Sequence, residues 1–363
     1  MKMPVSTRGR SRCGAAGRLR ESPHFWVLPG GGLARRSGPA DASAIAELFQ
    51  STYQCSSHPF QTVADVERFL ADERNFQILA EEGGRIVASM AMAYNDWNDS
   101  YELGRAITHP DYRRQGLAAL LMQRVVDWVC DQGLGQVFFG FPRARRIVEL
   151  CAAIHPRMIV VGHDAGRNVA NASRETHLIV FSIPPHSSFA HVKPAVCDTA
   201  QAQFVDAHIY RPLGLRPAPG AYPLRRFAGV PRDGSFERNG FVLDYDPAGA
   251  NGALEVLAHD DTSSDAPRLC RDLSGVLQSL PGVQHATVTI LADKVDVMRH
   301  LGALGFEMTA YLPAWLKENA YRYDCVQMTR AAYASRPAAR GYEPLVDQLN
   351  AGFAATLACA PVA

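Results

Sequence analysis

The fold is decided by a stretch of twelve residues, Ile107-Thr108-His109-Pro110-Asp111-Tyr112-Arg113-Arg114-Gln115-Gly116-Leu117-Ala118. It joins a strand-like run, Tyr101–Thr108, to an apolar pattern with the period of a helix packed on one side. The apolar residues of that pattern are Leu117, Leu121, Val125 and Trp128. Gly133 and Gly135 end the pattern, since glycine is favoured where helices stop. The stretch therefore predicts a strand, a turn and a helix in direct succession.

The turn has the composition of an anion-binding loop. Gly116 lets the backbone approach a ligand closely, and the small Ala118 keeps side-chain bulk away. The N–H groups of the first helical turn then point at an anion and are helped by the helix dipole. Arg113 and Arg114 add positive charge at the rim. A pyrophosphate is the expected ligand, and the alternative is an ordinary helix start that contains a glycine.

Other elements on either side of this turn predict an α/β fold with a mixed sheet. Predicted helices begin after Asp41, where Ile45, Leu48 and Phe49 share a face, and at Leu117, and a further one spans Arg145–Ile154. The predicted strands are Phe76–Ala80, Ile86–Ala93, Tyr101–Thr108, Val137–Phe141, Met158–Val161 and Thr176–Ile183.

A second series of elements repeats the later part of this order. The predicted strands are Phe241–Tyr245, Leu254–Ala258, Ala286–Leu291, Met308–Leu312 and Tyr323–Met328. Two helices are predicted, one with an apolar face formed by Leu269, Leu273, Val276 and Leu280, and one at Val295–Leu304. This repetition predicts a duplicated fold. We expect a flexible basic tail at 1–32 with order beginning near Leu33, domains at 33–187 and 188–333 joined by a link from Pro184 to Lys193, and a C-terminal tail at 334–363. Helical spacing of Leu345, Leu349 and Phe353 predicts that this last tail docks on the body.

Composition excludes several classes of function. The 363 residues carry a formal net charge of +1, and residues 1–20 alone hold six basic and no acidic side chains. The remainder is mildly acidic, so no whole-protein electrostatic case for nucleic acid exists. No apolar run approaches the roughly 18 residues that span a membrane. The eight cysteines form no CxxC pair and the histidines show no metal-ligand spacing, so we expect reduced thiols, no metal and a cytoplasmic protein.

The run Ile107–Ala118 resembles motif A of the GNAT superfamily of N-acetyltransferases, Arg/Gln-x-x-Gly-x-Gly/Ala, and the strand and helix around it stand in that family's order. The resemblance covers roughly residues 33–183. It implies a site for acetyl-CoA or another acyl-CoA as co-substrate, whose pantetheine arm pairs with the strand end and whose pyrophosphate meets the turn. The implied binding residues are Ile107, Thr108, His109, Arg113, Arg114, Gln115, Gly116, Leu117 and Ala118. A splay between this strand and Val137–Phe141 would admit the thioester.

The reaction implied by the resemblance is acyl transfer from CoA to an amine, which must be neutral to attack. At pH 7, deprotonating an amine of pKa about 10 costs roughly 4 kcal/mol, and a base offsets that cost. Glu102 is the candidate base, since it lies on the strand leading into the turn and histone-acetylating members of the family hold a strand glutamate at a similar spacing. The alternative is an edge-strand glutamate that faces solvent or pairs with Arg105.

The sequence departs from the family's pattern at the place of the general acid. Family members often use a tyrosine in a pattern similar to Asn-x-x-Ala-x-x-x-Tyr, whereas this chain has Ala144 at the Asn place and Cys151 at the Tyr place. Cys151 is the candidate acid, a buried core cysteine is the alternative, and Tyr112 in the turn is another possible acid.

The second half resembles the same family more faintly, around Leu304-Gly305-Phe306, and lacks the cofactor turn. At the equivalent place Asp260–Pro267 contains no glycine, three acids and a proline without an N–H. The sequence thus predicts a tandem N-acyltransferase with one working CoA site and a small-molecule amine as acceptor. The rival interpretations are a silent acyl-CoA-binding regulatory protein and an O-acyltransferase or decarboxylase acting on acyl-CoA.

Overall fold

A computed structural model describes residues 25–28, 31–52, 60, 62–142, 145–154, 158–170, 173–195, 203–229, 234–246, 252–259, 265–332, 336–337 and 342–358. The helices are α1 Ala42–Thr52, α2 Val63–Ala71, α3 Leu117–Gln132, α4 Arg145–Ile154, α5 Ala266–Ser279, α6 Val295–Ala303 and α7 Glu343–Ala358. A short helical segment spans Asp206–Leu213, and short 3-10 turns cover Pro39–Asp41 and Pro110–Tyr112.

The strands of the first half are β1 Phe25–Val27, β2 Leu33–Arg36, β3 Phe76–Glu82, β4 Arg85–Asn95, β5 Ser100–Thr108, β6 Val137–Gly140, β7 Ile159–Ala170 and β8 Ser173–Ser182. Those of the second half are β9 Ala190–Pro194, β10 Ala218–Gly220, β11 Phe236–Arg238, β12 Phe241–Asp246, β13 Ala253–His259, β14 His285–Leu291, β15 Glu307–Glu318 and β16 Tyr321–Ala331. A two-residue strand, β17 Arg336–Pro337, follows.

The sheet of the first half is mixed. β1 to β5 pair antiparallel in sequence order, β5 pairs parallel with β6, and β8 lies antiparallel between β6 and β7. One face packs on α3 and α4, where Phe76 stacks on Trp128 with ring centroids 3.8 Å apart. The other face packs on α1 and α2. The sequence prediction of an α/β fold with a mixed sheet is confirmed.

The second half repeats these pairings. β12 and β13 are antiparallel, β13 and β14 are parallel, and β16 lies antiparallel between β14 and β15. The parallel pairs match in length, because β5 meets β6 over Ser100–Leu103 and β13 meets β14 over Ala253–Val256. Helices α3 and α5 make the equivalent crossovers. The two halves therefore share a topology as well as an order of elements.

The halves join through one continuous sheet. β15 meets β7 at Ala310 and Gly162, and a side chain at Gly162 would stand only 2.3 Å from the Ala310 Cβ. The predicted tail helix is confirmed as α7, which buries Leu349 and Phe353 in the core shared by the halves. Among the described cysteines, Cys130, Cys151, Cys270 and Cys325 are free thiols. None of the described helices combines the length and apolarity needed to cross a membrane.

The structure moves two of the expected boundaries. β1 and β2 pair antiparallel, and the Leu28 amide donates to the carbonyl of Gly32, which belongs to the glycine-rich stretch before Leu33, at 2.8 Å. Leu28 is buried, so order extends back to residue 25, whereas residues 1–24 lie outside the described residues. The expected link to Lys193 contains β9, which pairs parallel with β16. Helix α2, which the sequence reading missed, begins at a Thr62–Asp65 capping box.

Candidate active site

A fork between β5 and β6 forms the centre of the site. The parallel pairing ends at Leu103 and Gly140, while β5 continues to Thr108. A side chain at Gly140 would stand 2.8 Å from the Leu103 carbonyl oxygen, so only glycine allows the strands to approach this closely before they part. Beyond the fork, the edge of β5 that faces away from β4 has no strand partner among the described residues. This edge and its unpaired backbone groups can accept an extended ligand.

The turn after β5 ends in an uncapped helix N-terminus. Arg114 and Gly116 have positive φ angles of 66° and 80°, and α3 begins at Leu117. In the described part of the chain no side chain caps the helix at Gly116, and the first intrahelical bond of this end runs from the Leu120 amide to the Gly116 carbonyl. The first amides of a helix have no intrahelical acceptor, so Leu117 and Ala118 present donors to an anion.

The side chains of the turn supply positive charge without blocking this end. Arg113, Arg114 and Gln115 are exposed. Arg113 reaches back to donate from Nε to the Thr108 carbonyl at 3.3 Å. Arg114 makes no ion pair or hydrogen bond with any of the described residues, so its charge is available to a ligand.

The strand end that the sequence assigned to the pantetheine arm is partly committed to the protein. The His109 amide donates to the Val87 carbonyl at 2.8 Å, and the Thr108 carbonyl accepts from Arg113. The Ile107 side chain is buried in the core under α1 and α2. These contacts leave the part of β5 nearer the fork unaffected, and the binding residues implied by the resemblance stay a prediction.

Glu102 lies at the fork itself. It pairs with Phe139, one residue before the last parallel pair. Tyr101 and Leu103 pack into the core beneath α3, so the Glu102 side chain between them points to the opposite face, which α1 and α2 cover. The carboxylate is 33% exposed, and Oε2 lies 3.9 Å from Arg105 Nη1. A side chain at Gly104 would come within 3.4 Å of Oε1, so the glycine leaves space beside the carboxylate.

Cys151 is set into the core between α4 and α3. It is 3% exposed, and its Sγ lies 3.8 Å from Met122 Sδ. Burial raises the pKa of the thiol to about 12. The alternative assignment of Cys151, as a core side chain, accounts for all of these contacts, and its role as general acid stays a prediction. Tyr112 lies in the turn and packs edge-on against His109.

The second half closes the equivalent fork with its own backbone. The segment Arg226–Gly229 lies between β13 and β14 where these strands part. The Gly229 amide donates to the Leu257 carbonyl, the Ala228 amide donates to the Thr289 carbonyl, and the Leu291 amide donates to the Arg226 carbonyl. Phe227 also forms a bridge with Ile290.

The N-terminus of α5, the equivalent helix of the second half, is capped by a side chain. Asp265 caps α5 by accepting from the Arg268 amide at 3.0 Å, and Pro267 removes one N–H from the first turn. Glu255 has the same place in the β13–β14 pairing as Glu102 has in the β5–β6 pairing, but Arg226–Gly229 occupies the strand edge beyond it. Residues 260–264, which include the acidic Asp260 and Asp261, lie outside the described residues. The loss of the cofactor turn in the second half stays a prediction, and the described part of that segment consists of Asp265, Ala266 and Pro267.

Sequence reasoning missed two features of the site. A bulge in β5 places Arg105 on the same face as Glu102, and the polar turn Asp96–Asp99, just before β5, is held by Arg322 and Lys317 of the second half. The adjacent Gly104 and Arg105 are the local signal for the bulge. No local signal exists for the second feature, because its partners are more than two hundred residues apart.

Part of this chain is similar to known proteins. The Acetyltransferase (GNAT) family profile matches residues 42–145, which include β5, the turn and α3. A GNAT-family acetyltransferase from Streptococcus pneumoniae aligns with 42% of this chain and 98% of its own, at 17% identity and a TM-score of 0.36. The ribosomal-protein-S18-alanine N-acetyltransferase of Escherichia coli aligns with 43% of this chain and 95% of its own, at 18% identity and a TM-score of 0.36. No curated protein sequence matches the chain. The match to the Acetyltransferase (GNAT) family covers residues 42–145, and the family that the run Ile107–Ala118 resembles is the same one.

Proposed function

We propose that this protein transfers an acyl group, acetyl in the simplest case, from acyl-CoA to the amine of a small-molecule acceptor. The observation that carries the proposal is the fork at Leu103 and Gly140, which has Glu102 at its base and the uncapped start of α3 beyond its open end. A single extended ligand with an anionic group at one end and a reactive group at the other fits this arrangement.

The anionic end of acyl-CoA is bound at the turn. The amides of Leu117 and Ala118 donate to the pyrophosphate, and the helix dipole of α3 favours its negative charge. Arg114 and Arg113 add charge from the rim. The pantetheine arm then lies along the free edge of β5, which supplies backbone hydrogen bonds in place of the strand that is missing there.

Glu102 acts at the reactive end. The acyl-CoA supplies an activated thioester, and the protein must deliver a neutral amine to it. Glu102 accepts the proton of the acceptor ammonium, directly or through one water, and leaves the nitrogen lone pair free to attack. After the acyl group has moved, the departing CoA thiolate takes up a proton.

The second half serves as a scaffold with the same topology and no CoA site. Arg226–Gly229 fills its fork, and Asp265 would repel a pyrophosphate at the start of α5. We therefore propose one CoA site for each chain, in the half that carries the turn.

The proposal is tested by thiol release. Purified full-length protein is incubated with acetyl-CoA and a panel of small amines, amino acids and polyamines, and free CoA is measured together with the product mass. Amine-dependent release with an N-acylated product supports the proposal. Tight acyl-CoA binding without release under any condition would replace it with a regulatory acyl-CoA-binding protein. An O-acylated product or amine-independent loss of carbon dioxide would replace it with the other acyl-CoA reactions.

A further inference from the structure

Arg105 owes its position to a bulge in β5. Ser89 of β4 pairs with Ile107 of β5, and Ala91 pairs with Gly104. Between these two pairs, β5 therefore contains one residue more than β4. Arg105 takes up the extra length with a φ of 51°, a left-handed conformation that is uncommon for a residue with a side chain. Bulges redirect side chains, and this one turns Arg105 to the face of Glu102.

The guanidinium of Arg105 is stacked on aromatic rings but makes no hydrogen bond to any residue that the structure describes. Its Cζ lies 5.5 Å from the Phe60 ring centroid and 4.9 Å from that of Phe69. The side chain is 14% exposed, and Nε and Nη1 are buried with no hydrogen-bond partner in the described part of the chain. Glu102 Oε2 lies 3.9 Å from Arg105 Nη1, which is close enough for an ion pair but beyond hydrogen-bond distance.

Such an arginine is costly unless something else satisfies it. A guanidinium carries five N–H donors in a planar fork, and buried polar groups in folded proteins are almost always paired. The two phenylalanine rings hold the fork in place but accept no conventional hydrogen bond. The bulge, the aromatic pair and the unmet donors therefore describe a preorganised receptor for an anion beside the proposed base.

We propose that Arg105 binds the carboxylate of the acceptor, and that the acceptor is a free α-amino acid. This inference rests on the proposed function and names the substrate class of the same site. Glu102 then receives the ammonium end of the zwitterion, and Arg105 receives its carboxylate end.

Two features select this class over other anionic amines. A planar carboxylate matches the guanidinium fork in a bidentate manner, whereas the negative charge of Glu102 close by disfavours a doubly charged phosphate. In an α-amino acid a single carbon separates the amine from the carboxylate, and Glu102 Oε2 and Arg105 Nη1 are correspondingly close at 3.9 Å. A polyamine or a protein N-terminus offers no carboxylate at that spacing.

The test compares each amino acid with its carboxamide, which keeps the amine and side chain but removes the negative charge. Wild-type protein, Arg105→Gln and Arg105→Lys are assayed by CoA release. Arg36→Gln is the matched control, because Arg36 is also stacked on two rings, Phe76 and Trp128, at 5.1 and 5.2 Å. Those rings lie in the core on the opposite face of the sheet. CoA affinity is measured for every variant.

We expect wild type to favour the acid over the amide by about 100-fold in kcat/KM, the size of one lost charge-assisted interaction. Arg105→Gln removes that preference through KM for the acid and leaves CoA affinity within about threefold. Arg105→Lys retains part of the preference. Arg36→Gln behaves as wild type. Equal use of acid and amide by wild type, with CoA released, overturns the inference and leaves the proposed function standing.

A protein that releases no CoA with any amine contradicts the proposed function, and binding then decides the inference. Calorimetric titration of amino acids into the CoA-loaded protein supports the inference if affinity falls at least tenfold in Arg105→Gln and not in Arg36→Gln. Absence of amino-acid binding to wild type, or equal affinity in both variants, overturns it.

Discussion

Arg322, in the second half, donates a hydrogen bond from Nη2 to the backbone carbonyl of Asn98, in the first half, at 2.5 Å. The same guanidinium donates to the Asp99 carbonyl at 3.1 Å and to the Ala314 carbonyl at 2.9 Å. Arg322 is 1% exposed, and burial lowers its pKa to about 10. Because Asn98 and Asp99 directly precede β5, this contact fixes the entry of the strand that carries Glu102.

Replacement of Arg322 by Met should therefore weaken both the fold and the site. Each buried carbonyl left without a donor costs about 1–3 kcal/mol, so we expect a loss of at least about 3 kcal/mol in the free energy of unfolding, measured by denaturant titration. Lys317→Met is the matched control, since Lys317 reaches the same turn at Asp99 Oδ2 from a 41% exposed position. Such a surface pair contributes about 1 kcal/mol or less. Equal stability of the two variants would contradict the assignment.

The turn before α3 is tested by a charge at its glycine. Gly116→Asp places a carboxylate where the pyrophosphate is proposed to bind, and a like charge at contact costs several kcal/mol. We expect CoA affinity, measured by calorimetry, to fall at least about 100-fold. Gly133→Asp is the control at the other end of the same helix, where the glycine also has positive φ and open space around its Cβ position. Retention of CoA binding by Gly116→Asp would remove the proposed site.

The role of Glu102 is tested by the dependence of the rate on pH. Glu102→Gln should lower kcat/KM near pH 7 by about 100- to 10,000-fold, the usual contribution of a general base. The deficit should shrink as pH approaches the pKa of the acceptor amine, because a neutral amine needs no base. Glu82→Gln, an exposed glutamate at the β3–β4 turn, serves as control. A deficit that stays constant across the pH range would assign Glu102 a structural role.

Local chemistry explains why α3 could be predicted so closely. Gly116 and Gly133 bracket it with left-handed conformations, and the apolar stripe between them is buried as its period requires. The prediction of a flexible linker up to Gly32 is wrong at Gly31 and Gly32, because composition does not distinguish a linker from the end of a hairpin. The strand before it, Phe25–Val27, is recognised only by its pairing with Leu33–Arg36. Arg105 and Arg322 act through a bulge and a distant contact, which no local periodicity encodes.

Asp324 is the charged centre of a buried network in the second half. His191 Nε2 lies 2.5 Å from Oδ1, Tyr311 donates to Oδ2 at 2.8 Å, and the Ala314 amide donates to Oδ1 at 2.7 Å. Tyr210 also donates to Oδ2. Burial alone would raise the pKa of Asp324, but the charge of His191 and these hydrogen bonds outweigh it and hold the pKa below its ordinary value of 3.8.

A lowered pKa in the folded state means that ionised Asp324 stabilises the fold above about pH 4 and that this stabilisation is lost as pH falls further. Asp324→Asn should reduce the free energy of unfolding at pH 7 by about 3–5 kcal/mol. It should also flatten the decline of stability below pH 4, followed by denaturant titration at several pH values. Asp96→Asn, at an exposed partner of Arg74, is expected to leave both quantities unchanged. A steep acid decline in Asp324→Asn would assign the transition to another carboxylate.

The segment Arg226–Gly229 determines how well free CoA can compete for the fork between β13 and β14. A free ligand fills a fork only at concentrations near its dissociation constant, whereas a peptide in the same chain is present at an effective concentration fixed by its connection to the fold. Added CoA therefore competes poorly for the fork between β13 and β14. The protein should titrate as a single class of site with one equivalent of CoA, although its sheet contains the same fork twice.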